Sequence, residues 1–424
     1  MELPALPPVD SIDLSDVEFW GRPAPEREAA FAALRRYKPI SFHQEFEPPP
    51  GMPLPRGPGY WALTRHADVL EVSRTAAVFC SGKGTNIPDL PEAFSEFFGS
   101  MINMDDPRHG RLRRIVSRGF TPRALGRLEA AVQRRAQQTI DRVIDRGACD
   151  FVTDIAAPLP LEIVCDMMGI PESETKGVFA HTNTILGLGD PEYVPPGASP
   201  IAAALTSGKA LADLMTEIAK SRAVKAGDDL TSALLDAQID GETLTQQELA
   251  SFFVLLVVAG NETTRNAISH GMKALCDHPD QRRKWAADFE GLADPAVEEI
   301  VRWASPVMHF RRTATRDTVL SRQPIKAGEK VVMWYGSANR DEAKFERPFS
   351  FDVARTPNEH VGFGGPGPHH CLGAQLARRE IRVMFRELFR RLPDLEITGP
   401  PEMLRSNFIH GVKRMPCAWA KRAK

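Results

Sequence analysis

The segment 245–278 constrains the fold more than any other stretch of this 424-residue chain. Thr245 and Glu248 form a capping-box signature at its start, and Pro279 closes it. Some thirty residues rising 1.5 Å each make a helix of about 45 Å, the width of a whole domain. Its middle, FFVLLVVA at 252–259, is apolar on every face and therefore requires burial on all sides. Directly after that run stand Gly260, Asn261, Glu262, Thr263 and Thr264, small or polar residues inside what is otherwise a core helix. Leu255, Ala259 and Thr263 share one stripe by i, i+4 spacing, with Glu262 beside them. Such a notch lets a bulky group approach the backbone and permits a local break in the helix hydrogen bonds. A simple polar notch is the other reading.

The second unusual stretch is 359–379, EHVGFGGPGPHHCLGAQLARR. Its glycines and prolines exclude ordinary helix or strand, and they deliver Cys371 to the start of an amphipathic helix with an apolar stripe of Ile381, Met384, Phe385 and Leu388. A thiol at a helix N-terminus, among backbone N–H groups, has its thiolate form favoured. Several chemistries use such a group. Gly362, Gly364 and Gly367 satisfy G-x-G-x-x-G, but no buried strand precedes them, as dinucleotide binding requires. His369, His370 and Cys371 would begin a zinc site that lacks a second ligand cluster, and a nucleophilic cysteine with His369 as base lacks an oxyanion hole. The remaining reading is haem iron held by the Cys371 thiolate, which demands cations for two propionates and a helix with an acid and an alcohol opposite.

The rest of the chain reads as mainly helical with a minor β portion. Residues 1–60 are proline-rich, with PPPGMPLPRGPG at 48–59 expected as a peripheral loop, and YWAL at 60–63 as a strand before a helix. The loop at 80–104 carries Phe94, Phe97, Phe98, Met101 and Ile102, more apolar side chains than a solvent-facing loop needs. Pro122 after Thr121 marks a fresh helix start; 187–200 reads as a connection and 318–336 as a hairpin. The whole is expected to form one domain, 1–424, with residues 1–60 part of it. A 42% apolar content supplies a large core, and 25% charged residues with net charge −2 imply no nucleic-acid or other polyelectrolyte partner. The absence of a signal-like start and of an apolar run near 18 residues leads us to expect a soluble, cytoplasmic protein without a membrane span. Its six scattered cysteines are expected to be reduced.

Four runs in order, AGNETT at 259–264, EEIVR at 298–302, FERPFSFD at 345–352 and GGPGPHHCLG at 364–373, resemble the cytochrome P450 family of haem-thiolate monooxygenases. The resemblance spans nearly the whole chain and implies that family's fold, a core-spanning distal helix facing a cysteine-ligand loop, with haem b (iron protoporphyrin IX). It further implies Cys371 as the axial ligand and Glu299 with Arg302 as the structural E-x-x-R pair. His109, Arg113, Arg312 and His369 resemble the propionate-binding cations, and Glu262 and Thr263 the acid–alcohol pair that relays protons. Two departures stand out: many members place a phenylalanine seven residues before the cysteine, where this chain has Gly364 after Phe363, and His370 precedes Cys371 in place of an apolar residue.

Within the family, runs such as LPLEIVCDMMGIP and FFVLLVVAGNETTRNAISHG resemble actinobacterial lipid and sterol oxidases, nearest the branch that hydroxylates terminal methyls of methyl-branched fatty acids, isoprenoids and cholesterol side chains. By that similarity Phe98, Ile102, Leu255, Val258, Ala259, Val307 and Phe408 are expected to line the pocket for a hydrophobic substrate. Electrons are expected from a ferredoxin and its reductase, and the oxygen atom from O2. Arg111, Arg113, Arg114 and Arg118, with Arg378, Arg379, Arg382 and Arg386, form the expected basic face toward an acidic ferredoxin. A haem-binding sensor or carrier, and a monooxygenase with another small substrate, are the alternatives.

Overall fold

The computed structural model describes residues 2–47, 56–194, 197–237 and 243–421. Residues 48–55 of the expected proline-rich loop, and 195–196 of the expected connection at 187–200, lie outside them. The long helix runs Gln246–Asp277 with the capping box formed both ways: Glu248 N donates to Thr245 Oγ1 (3.1 Å) and Thr245 N to Glu248 Oε2 (2.9 Å). Helices Pro158–Met168, Pro200–Val224, Phe289–Ala304 and Ala374–Arg391 pack around it, so Phe252, Phe253, Val254 and Val257 are buried. The helix continues unbroken through 260–264, contrary to the expected interruption, and Thr263 Oγ1 donates back to the Ala259 carbonyl at 2.8 Å. That i−4 bond absorbs the hydroxyl locally and leaves the backbone ladder intact.

The β portion is small, and its main sheet carries apolar cores of its own. Strands Ile40–His43, Tyr60–Leu63, Lys330–Trp334, His309–Ala314 and Phe79–Cys80 form a five-stranded sheet in that spatial order. Tyr60–Leu63 pairs parallel with Lys330–Trp334 and the other neighbours are antiparallel. The expected hairpin at 318–336 is therefore divided. Thr318–Leu320 and Gln323–Ile325 turn on each other, while Lys330–Trp334, buried at every position, joins the main sheet. Its Val331, Val332, Met333 and Trp334 form a continuous apolar run suited to burial on both faces, and the buried Lys330 is paired with Glu45 at 2.7 Å. Residues 1–60 also carry more than surface segments: helix Ala24–Tyr37 buries Phe31 and Leu34, and Trp20 stacks on Trp334 with ring centroids 5.0 Å apart.

Glu299 and Arg302 sit on one face of Phe289–Ala304, each 0% exposed, in a bidentate pair at 2.8 Å on both arms. Arg302 further donates to the carbonyls of Asn339, Pro348 and Ser350 at 2.9–3.2 Å. Glu299 accepts from Asp352 N, Arg355 Nε and Asn358 Nδ2 at 2.9–3.1 Å. An i, i+3 pair on an exposed helix is worth only ~0.2–0.5 kcal/mol, but removing one member of a fully buried pair costs about 3–5 kcal/mol. Arg302→Ala is thus expected to lower unfolding stability by about 3–5 kcal/mol in urea titration; a loss near ~0.5 kcal/mol would show that the pair carries no more than a surface bridge.

Candidate active site

The loop 360–373 and the core helix face one another across a cavity of about 1500 Å³. The loop needs its glycines. Gly364 has φ +81°, and a Cβ on Gly367 would stand 2.2 Å from the Ser73 carbonyl oxygen. Cys371 N donates to the Phe363 carbonyl at 2.9 Å, which closes the loop and turns the thiol into the cavity. The helix itself begins at Ala374, so Cys371 precedes it by a short turn instead of starting it.

Cys371 has solvent-accessible surface, but that surface opens onto the cavity, and protein surrounds the residue otherwise. Burial pushes its thiol pKa up, while the Gly373 N–H and the charges of Arg113 and Arg378 oppose the shift. The sequence-based expectation of a favoured thiolate is therefore not met by protein groups alone; a coordinated cation would complete it. Phe363 lines the cavity despite its displaced position, with the Arg378 guanidinium 4.4 Å from its ring centroid. His370 lines it too, and its carbonyl accepts from Arg113 Nη2 at 2.6 Å.

His109, Arg113, Arg312 and His369 all line the cavity. Helix Arg108–Val116 sets His109 and Arg113 one turn apart, and the His109 and His369 rings lie 4.2 Å apart. The Ser81 hydroxyl meets His369 Nε2 at 3.0 Å. Burial, then Arg312, His109 and Arg113, hold His369 down to about 2, and burial with Arg113 lowers His109. Asp106 stands 3.7 Å from His109, yet His109 Nε2 is buried without a partner. Arg312, 5% exposed, donates only to the Arg311 carbonyl among the described residues. Crowded donors short of acceptors fit a ligand with carboxylates, so the residues present fit a haem and its propionates.

On the opposite wall, Leu255, Ala259 and Thr263 line the cavity as their shared stripe predicts. Glu262 does not. Its side chain is buried on another face, ion-paired with Arg265 and 3.4 Å from Asn266 Nδ2, and Arg265 donates in turn to Asn183. Residues one apart on a helix point about 100° apart, so an acid adjacent to a cavity-facing alcohol need not share its direction. Ile102 and Val307 reach the cavity, whereas Phe98, Val258 and Phe408 are absent from its lining. Phe98 packs on Phe94, Phe97 and Gly208; Val258 belongs to the helical core; Phe408 backs the cavity-lining Phe310 at 5.6 Å.

Several lining residues, Phe252, Leu256 and Phe310 among them, escaped the sequence reading, and one of them is a carboxylate. Glu380, 2% exposed, leaves Oε1 without a partner and is raised by burial to about 8, an effect that the Thr264 hydroxyl opposes. Its only signal is a glutamate flanking the apolar stripe. The basic face is also weaker than expected: Arg378, Arg379, Arg382 and Arg386 meet Glu298, Glu129, Glu290 and Asp294. Arg111 pairs with Glu248. Among the described residues no group of His, Cys, Asp and Glu is placed to hold a metal ion as a protein cluster, and no helix is long and apolar enough to cross a membrane.

Below its ordinary value of 4.5, Glu380 is protonated in both folded and unfolded chains; from there to about 8 only the folded state keeps the proton. Stability from this group is therefore greatest below 4.5 and declines until about 8. Glu380→Gln should flatten that decline in denaturation series across the interval; an unchanged pH slope would show that Glu380 is ionised in the fold.

Comparison with known proteins agrees with this geometry. The family profile "Cytochrome P450" matches residues 291–406. The chain is 51% identical over 417 residues to the methyl-branched lipid omega-hydroxylase of Mycobacterium tuberculosis (strain ATCC 25618 / H37Rv), covering 97% of this chain and 96% of the relative. It is 42% identical over 387 residues to a steroid C26-monooxygenase of Mycolicibacterium smegmatis, covering 90% and 88%. The solved Mycobacterium marinum cytochrome P450 CYP268A2 in complex with pseudoionone shares the fold at TM-score 0.91 and 43% identity, covering 98% of this chain and all of that one. With identity sustained across its length and a cysteine loop set against a core-spanning helix, the chain belongs to the cytochrome P450 family of haem-thiolate monooxygenases.

Proposed function

We propose that this monooxygenase hydroxylates an unactivated terminal methyl C–H bond of a methyl-branched lipid, an isoprenoid or a sterol side chain. The observation that carries the reading is the division of the cavity. Its ionisable lining groups lie on the cysteine-loop side and in Glu380, while the core-helix side offers Phe252, Leu255, Leu256 and Ala259 with only the hydroxyls of Thr263 and Thr264. A wall of that composition binds hydrocarbon and supplies few polar anchors. Similarity to an omega-hydroxylase and a C26-monooxygenase, both named for oxidation at a chain end, supports the same class.

In this reading Cys371 would hold the haem iron through its thiolate, and His109, Arg113, Arg312 and His369 would hold the haem carboxylates. The bound haem supplies the oxygen chemistry, with O2 and electrons from outside the chain. A ferredoxin and its reductase fit as the source, although the ion-paired arginines near Cys371 give less steering charge than an unpaired cluster would. Thr263 Oγ1 holds and passes a proton at the cavity wall, giving up its bond to Ala259 as it does so. Glu262 keeps Arg265 and helix Thr175–Leu186 in place, and touches the proton path only if that buried pair opens. The apolar wall excludes water and aligns the substrate's end.

The test is product mapping. Reconstituted with a ferredoxin system and offered a methyl-branched fatty acid, a linear isoprenoid and a cholestenone-like sterol, the enzyme should shift its Soret band on binding and yield products oxidised at the terminal methyl. In-chain hydroxylation as the main product would contradict the proposal.

A further inference from the structure

A second cavity, of about 1710 Å³, is lined in part by Trp334 at the end of the strand Lys330–Trp334 and shares no lining residue with the central one. Its charge balance is unusual. Four arginines, Arg22, Arg27, Arg340 and Arg405, line it, against a single carboxylate, Glu28. Arg22 has Asp16 at 3.9 Å, Arg405 has Glu18 at 2.7 Å, and Arg340, 5% exposed, has Glu28 at 3.2 Å. Arg27 is left over. Its guanidinium, largely buried, makes no hydrogen bond or ion pair among the described residues beyond the field of the neighbouring Glu28, and its Nε is shut away without a partner. An unpaired, desolvated guanidinium is costly to keep unless an anion visits it.

Other groups around the cavity point the same way. Trp334 lines it at 1% exposure, and its Nε1–H, a donor only, has no partner. His270 and His410, stacked at 4.0 Å, both have lowered pKa values, through burial first and then through charges that include Arg27 and Arg340. They therefore contribute no competing positive charge but sit in a positive field. The remaining walls are greasy: Trp20, Phe31, Trp303 and Met308 surround the polar groups.

We propose that this second cavity binds a monocarboxylate bearing an apolar tail, with the carboxylate on Arg27 and the tail against the tryptophans. A guanidinium fork matches a carboxylate, and aromatic walls suit a hydrocarbon chain. The occupant would bear on the haem cavity through one short backbone segment: Ser305 and Met308 line the second cavity, while Pro306 and Val307 between them line the first. The inference rests on residues outside the central cavity and does not depend on the substrate class proposed above.

The test is equilibrium dialysis of labelled decanoate against the haem-loaded enzyme whose central cavity is filled by an iron-coordinating azole. One saturable site is expected, weakened about ten-fold or more by Arg27→Gln and by decanol in place of decanoate, as loss of a charge-assisted hydrogen bond implies. An unaltered azole-bound Soret spectrum would show that the variant is folded. Decanoate binding abolished by the azole, unchanged by Arg27→Gln, or matched by decanol would overturn the proposal. The decanol comparison uses the unsubstituted protein, so it stands even if the variant fails to fold.

Discussion

The fully buried Glu299–Arg302 pair is the constraint on which the architecture around the cysteine loop depends. Arg302 spends its donors on the carbonyls of Asn339, Pro348 and Ser350, and Glu299 gathers Asp352, Arg355 and Asn358. Irregular chain between 339 and 358 is thereby nailed to helix Phe289–Ala304. Asn339 continues the tie, since its Oδ1 accepts from Val361 N at 2.7 Å, directly before the glycine loop. The chain of contacts runs from a buried ion pair to the backbone that presents Cys371. Two buried charges repay their desolvation here because nearly every donor and acceptor is occupied.

Across the cavity, rigidity has a different origin. The core helix is held by apolar packing over most of its length, so a small or polar residue on its cavity face is free to serve a ligand. Ala259 is exposed in the middle of a buried helix because it faces that space. One wall is thus fixed by charges and hydrogen bonds and the other by hydrocarbon, and the cavity inherits both characters. Its polar side fits a cofactor with carboxylates and its apolar side a greasy substrate.

Much of this was legible in the residues. The capping box, the all-round apolar run, the fresh helix at Pro122 with Thr121 as its cap, and the ordered motifs each describe local chemistry that tertiary context did not overturn. Directions of side chains were harder. Glu262 and Thr263 are neighbours in sequence but face different partners, and Phe98 meets Gly208 on a helix more than a hundred residues away. Phe408 is separated from the cavity by Phe310, a layer that no periodicity encodes. Glu380 was missed for a related reason: a glutamate on an amphipathic helix reads as surface until packing buries it beside Thr264. The arginines near Cys371 read as a basic face because their acidic partners come from distant segments.

The central claim is that Cys371 is the proposed iron ligand, and the most direct measurement is the absorption spectrum of the reduced, carbon monoxide-bound protein. The account predicts a Soret band at the position of thiolate-ligated haem in catalytically active protein, lost when Cys371→His is introduced. A band at the histidine-ligated position in active, unsubstituted protein would contradict it.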